Sequence, residues 1–293
     1  MRSQWLIVLF TVVSLPGWGQ RLSGKIINEL TAKPVPYVLV TSPDRKMGIR
    51  TDTAGYFRPP VNFDTLLLSA PGYQSATLVL SEVDSLVVHL AEKPLEVQGI
   101  AMSGSKRPRL EMAGTRRKRP QGIYMNCDST SFSEMALYIP NPEQKQAILH
   151  KVYYYVPRKG KQRAPFRVRI YANTNGAPGR DLLEESVIVR PRWWGRWKEI
   201  QVGRYNVPLP GDGLFVSIEW LGRESSYVDR IKMTDGSVRT SKCYGQALGM
   251  IKAPEEPRGW ARSNGGNWFR WTLSPNDQVY NPMIRVEWLR YSQ

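Results

Sequence analysis

Apolar and polar residues alternate along much of this chain. Between residues 21 and 93, Val35, Tyr37 and Leu39 alternate, Phe63 to Ala70 forms a compact apolar run, and Ala76, Leu78 and Leu80 alternate again. Leu86, Val88 and Leu90 share one face and leave Val87 and His89 on the other. The pleat of a strand sends successive side chains to opposite faces. Short runs of this kind, separated by proline, glycine and aspartate, predict a small all-β sandwich. No helix-period segment of useful length interrupts them.

The same period governs residues 126–293. FRVRIYA directs Phe166, Val168 and Ile170 inward and Arg167, Arg169 and Tyr171 outward. LFVSIEWL puts Leu214, Val216, Ile218 and Trp220 on one face, with Ser217 and Glu219 on the other. MIRVEWL sets Ile284, Val286 and Trp288 opposite Arg285 and Glu287. Further strands are predicted at 148–156, 186–190, 197–202 and 267–273, and PEQKQAIL is compatible with one helical turn. The pattern predicts a second β-sandwich of jelly-roll type. No repeat relates the two regions.

Between them, residues 94–125 lose the alternation, and within them GIAMSGSKRPRLEMAGTRRKRPQG carries Lys106, Arg107, Arg109, Arg116, Arg117, Lys118 and Arg119 against the single Glu111. Glycine, serine and proline break any period, so the stretch reads as a basic flexible linker. The chain opens with Arg2, a short apolar run from Trp5 to Val13, and Gly17 and Gly19 before Gln20. That is the layout of a secretory signal peptide over 1–19, too short for a membrane span of about 20 residues; a retained anchor is the alternative. The expected domains are thus 20–93 and 126–293, joined by 94–125, with no transmembrane span once the signal is removed.

Within TDTAGYFRPP, Asp52 and Gly55 fit a tight connection in which aspartate caps the local backbone and glycine takes a positive φ. Phe57 returns to the core, and Pro59–Pro60 end the strand. A cation site would need several more oxygen ligands at defined spacing.

Residues 21–93 resemble the carboxypeptidase-like regulatory domain. The resemblance rests on Gly24, Pro34 and Pro36 at a strand entry, the Thr51-Asp52-x-x-Gly55-x-Phe57 turn, and Pro71-Gly72-Tyr73. It implies a transthyretin-like, Ig-like β-sandwich, a module found ahead of TonB-dependent outer-membrane receptors and after some metallocarboxypeptidase domains. The module is an accessory and brings no catalytic residues. Neither usual context follows here, since a receptor barrel and a His-x-x-Glu zinc pairing are both missing. The arrangement is similar to exported Gram-negative proteins that join this module to a β-sandwich of unassigned role.

The formal net charge is +16, which favours anionic partners. For an exported protein these are envelope polymers rather than nucleic acid. Cys127 and Cys243 are the two cysteines. Export permits a disulfide between them, and two separately buried thiols are the other reading. No metal cluster and no cofactor are expected.

Few residues suggest catalysis. His89 and His150 fall in different regions, and a base needs an orienting partner within reach. The carboxylate candidates are Glu184–Glu185, Glu219 with Asp229, and Glu255–Glu256; a glycosidase needs two of them facing across a cleft. Tryptophan and arginine are more suggestive. RPRWWGRWKE holds Trp193, Trp194 and Trp197 with Arg190, Arg192 and Arg196, and GWARSNGGNWFRW holds Trp260, Trp268 and Trp271 with Arg258, Arg262 and Arg270. Exposed indoles stack on sugar rings, and arginine holds anionic groups. Trp193, Trp194 and Trp260, with Arg192, Arg196 and Arg262, are the candidate ligand residues, since these tryptophans fall at expected loop tips. Trp220 and Trp288 are expected in the core, and Trp197 and Trp271 fit either place. Arg116, Arg117, Lys118 and Arg119 are candidates for docking on an anionic surface.

The reading is a non-enzymatic exported protein of a Gram-negative envelope, periplasmic or outer-membrane-associated, acting in binding or assembly. Its expected partner is an anionic polymer, a glycan or an outer-membrane protein. The alternatives are a glycan hydrolase using Glu219 with a second carboxylate, and a structural accessory of a receptor or secretion complex.

Overall fold

The structure, a computed structural model, describes residues 23–58, 63–80, 85–93, 108–127, 134–183, 185–191, 197–222, 225–232, 236–253, 257–272 and 278–290, without the side chains of Ser85, Ile231 and Lys232. These residues are all-β, with no α-helix and a single 3-10 turn at Gly203–Tyr205. No helix among them is long and apolar enough to cross a membrane.

Seven strands build the first unit: β1 (Ser23–Asn28), β2 (Leu39–Thr41), β3 (Gly48–Arg50), β4 (Tyr56–Phe57), β5 (Thr65–Ser69), β6 (Ala76–Val79) and β7 (Ser85–Leu90). They form two sheets, ordered β4-β1-β7 and β3-β2-β5-β6. Ile26, Phe57 and Leu90 of the first sheet meet Val40, Leu66 and Leu68 of the second in one core. The alternation expected from Val35 to Leu39 is not strand alternation. Pro34 and Pro36 lack ladder donors, and Tyr37 sits at φ +56°. Thr51 replaces the missing ladder: its hydroxyl accepts from Val38 N at 2.9 Å and donates to Val35 O at 3.0 Å. The expected turn is present. Asp52 Oδ1 accepts from the N–H groups of Ala54 and Tyr56, both at 2.9 Å. Gly55 takes φ +79°, and a Cβ there would lie 2.5 Å from Ile26 O.

The second unit begins earlier than its hydrophobic pattern suggests. Strand β8 (Arg109–Gly114) pairs along the edge of β23 (Ile284–Arg290), and β9 (Gly122–Tyr124) pairs with β19 (Leu248–Lys252). The expected flexible linker over 94–125 is therefore corrected for its second half; residues 94–107 lie outside the described residues. The strand escaped notice because an edge strand buries little. Leu110 and Met112 are 60% and 43% exposed, and the core-side contact comes from Ala113. Glu111 is held by Arg290 and Lys145, both at 2.9 Å.

Between these lie β10 (Glu134–Ile139), β11 (Ala147–Tyr155), β12 (Phe166–Thr174), β13 (Ala177–Asp181), β14 (Val187–Val189), β15 (Trp197–Gln201), β16 (Leu214–Trp220), β17 (Ser226–Lys232) and β18 (Val238–Tyr244). After β19 come β20 (Gly259–Arg262), β21 (Phe269–Arg270) and β22 (Tyr280–Pro282). One sheet runs β13-β12-β16-β10-β20-β21, with β14 also on β12. The sheet β15-β11-β23-β8 faces it, and β22-β19-β9 and the β17-β18 hairpin complete the unit. The inward sets predicted for β12, β16 and β23 all join the main core, including Trp220 and Trp288. PEQKQAIL forms no helical turn. Asn141 Oδ1 accepts from Lys145 N at 2.9 Å, Gln144 takes φ +47°, and the chain then enters β11. Cys127 and Cys243 form a disulfide across 116 residues, joining the segment after β9 to β18.

Candidate functional site

β16 is buried along its whole length, because its outer face is covered as well as its inner one. Pleating places Glu134 of β10, Arg167 and Arg169 of β12, and Ser217 and Glu219 of β16 on that outer face. The registers set Glu219 opposite both Glu134 and Arg167, and Glu134 opposite Arg262. Two carboxylates directly opposite would repel; here arginine surrounds each.

Glu219 Oε2 accepts from Arg167 Nη1 at 3.0 Å and Arg169 Nη1 at 3.4 Å. Its Oε1 accepts from Arg50 Nη2 of the first unit at 2.7 Å. Arg167 also donates to Tyr37 O of the first unit at 3.2 Å and to Ser186 Oγ at 2.8 Å. Arg169 Nε reaches Asp181 Oδ2 at 2.6 Å. Glu134 accepts from Ser217 Oγ at 2.5 Å, Tyr171 OH at 2.7 Å and Arg262 Nε at 2.7 Å. Burial works to raise the Glu219 carboxyl, but Arg167, Arg50 and Arg169 together hold it well below the usual carboxylate range. Burial pulls Arg167 below its ordinary value, with Glu219 opposing, and raises Asp181 against the pull of Arg169.

This geometry withdraws Glu219 from the hydrolase alternative. A general acid must hold a proton near neutral pH, and Glu219 is held ionised. A nucleophile must reach its substrate, and the Glu219 side chain is only 4% exposed, with both oxygens engaged. Asp229 lies on the separate β17-β18 hairpin. Glu185 is exposed, while Glu184, Glu255 and Glu256 lie outside the described residues. His89 is exposed on β7 and His150 is half-buried on β11.

The tryptophan–arginine expectation is redistributed. Trp193, Trp194, Arg192 and Arg196 lie outside the described residues. Trp260 is not at a loop tip; it sits half-buried in β20, 6.0 Å from the Phe215 ring and with Arg270 5.6 Å above it. Arg262 is committed to Glu134 and stacks at 4.4 Å on Trp268. Trp197 stacks at 4.2 Å on Arg285 and edge-on to Tyr155. Trp271 packs against the main core beside Tyr124. Arg116, Arg117, Lys118 and Arg119 are exposed in the loop between β8 and β9.

Beside the arginine–glutamate cluster the two units leave a cleft of about 910 Å³. The first unit lines it with Lys46, Arg50, Asp52, Tyr56 and Arg58; the second contributes Asn126, Trp220, Tyr244, Ser263 and Asn264. The units touch at its margin. Arg45 Nη1 donates to Gly265 O at 2.7 Å, and Asn264 Nδ2 donates to Lys46 O at 3.3 Å. A Cβ at Gly48 would come within 2.9 Å of the Asn264 side chain, so glycine permits this approach. Sequence reasoning passed over Arg50 and Arg58, because nothing local marks a side chain that borders another unit.

No family model and no curated protein matches the chain. Among solved structures it is similar to a chain from the structure of the infectious bursal disease virus Gt strain, at 12% identity and a TM-score of 0.25, covering 87% of this chain and 55% of that one. A chain from the Gx strain structure gives 8% identity and a TM-score of 0.24, covering 87% and 61%. This chain thus spans less than two thirds of either, and likeness at that level adds nothing to the strand pairing described above.

Proposed function

We propose that this is a non-enzymatic exported protein of the bacterial envelope that binds or helps assemble an anionic polymer, with the loop from Arg116 to Arg119 as its docking element. The observation carrying this reading is that four consecutive exposed cations occupy a loop pinned at both ends. Thr115 N donates to Ile284 O at 2.9 Å on one side, and Gln121 N donates to Met250 O at 2.8 Å on the other. Pinned ends lower the entropy lost when such a loop is ordered on a partner. A block of like charge then binds by counterion-linked, salt-sensitive attraction. The signal-like residues 1–19 and the similarity of residues 21–93 to the carboxypeptidase-like regulatory domain support an envelope location. They also support a role as accessory to a larger assembly.

Retention on a polygalacturonate column tests the reading. The mature protein should elute late in a salt gradient. A variant with Arg116, Arg117, Lys118 and Arg119 changed to serine should elute at clearly lower salt with an unchanged melting temperature. Elution of both proteins at the same salt would reject the loop as the docking element.

A further inference from the structure

We propose that the cleft between the two units is a binding site for a small anionic sugar, one whose carboxylate or phosphate is taken by Lys46, Arg50 and Arg58. Its volume of about 910 Å³ lies in the range of small-molecule sites, roughly 300–1,000 Å³. Sites of that kind tend to lie where domains meet, and this cleft takes its walls from both units.

Its charge points to the ligand class. Three cations face it, Lys46, Arg50 and Arg58, against the single carboxylate of Asp52. Asp52 already accepts two backbone N–H bonds within its own turn. Lys46 has only an exposed pairing with Asp44 at 3.6 Å, an arrangement worth little in water. Arg58 is exposed and has no ion-pair partner among the described residues.

Arg50 supplies the second observation. Its Nη2 anchors Glu219 at 2.7 Å, which fixes the guanidinium at the cleft floor. Its Nε is buried without a hydrogen-bond partner among the described residues. A buried donor left unmade is unfavourable, and the guanidinium keeps this unpaired donor beside the cleft that it lines. The aromatic lining suits a ring. Tyr56 is 52% exposed, and half-buried Tyr244 lines the cleft from the second unit. Aromatic faces stack on sugar rings while the cations hold the charge.

This site is separate from the loop at 116–119, and the test keeps them apart. Calorimetric titration of the mature chain would use digalacturonate as the carboxylate probe, glucose 6-phosphate as the phosphate probe and cellobiose as the neutral control. At least one anionic probe should bind and cellobiose should not, and the stronger of the two tells which anion the site prefers. The Lys46→Ser/Arg58→Ser double variant changes only exposed side chains, so its melting temperature should hold while affinity falls about tenfold or more. The serine variant of the 116–119 loop should keep the binding. Three results would overturn the proposal: no binding of either anion up to about 10 mM, equal binding of cellobiose, or an affinity untouched by the double variant.

Discussion

At the scale of the residue, Glu219 dominates. Three arginines from two units converge on one carboxylate of which 4% is exposed. Desolvation makes such a cluster a poor source of net stability, but removing one partner strands the rest. Glu219→Ala should therefore cost about 3–5 kcal/mol in urea unfolding, and a loss below about 1 kcal/mol, the scale of an exposed pair, would show that the cluster is solvated. The same group sets an acid limb. Its folded pKa lies below the ordinary value of 4.5, so the unfolded chain binds the proton more readily. The stability it contributes is full above pH 4.5 and is lost as pH falls towards the folded value. Glu219→Gln should flatten that limb, seen as a smaller drop in melting temperature between neutral pH and pH 3. An unchanged acid slope would assign the limb to other carboxylates.

At the scale of the element, β8 is the informative case. Its sequence, RLEMAG, carries one cation and one anion and turns its apolar Leu110 and Met112 outward, yet it pairs with β23 over six residue pairs from Arg109–Arg290 to Gly114–Arg285. Ladder amides exchange slowly because a paired N–H must open first. Alternate amides in residues 109–114, those that face β23, should show protection by hydrogen exchange; complete exchange of all six within seconds would return the segment to a linker. β16 teaches the opposite lesson. Its inward residues announce a core strand, and its outward Ser217 and Glu219 announce a solvated face. That face is instead buried, because the first unit and the aromatic cluster around Tyr171 and Phe215 cover it.

At the scale of the whole molecule, two long-range ties organise the chain. The Arg50–Glu219 bond links residues 169 apart, and the Cys127–Cys243 disulfide links residues 116 apart. For a closed loop of about 100 residues the chain-entropy account gives about 4.7 kcal/mol. The Cys127→Ser/Cys243→Ser variant should lose several kcal/mol of unfolding free energy, and wild type under reductant should fall to the same value. Identical midpoints with and without the bridge would refute its structural role. The sequence left the bridge open as one of two readings of its two cysteines, whereas the Arg50–Glu219 bond is invisible to a local reading, since it joins segments whose own patterns are complete without the other.

What the sequence determined alone is what one strand or one turn decides for itself. The alternation in β12, β16 and β23 follows from the pleat, and the Asp52–Gly55 turn follows from side-chain capping and the freedom of glycine at positive φ. Tertiary structure decided whatever depends on which surfaces meet. It made Glu219 a buried anchor, took Arg262 and Trp260 into packing, turned half of a basic linker into two strands, and opened a cationic cleft between the units. Period and capping are settled within a few residues, whereas the partner of an outward-facing side chain is chosen by docking between segments far apart in the chain.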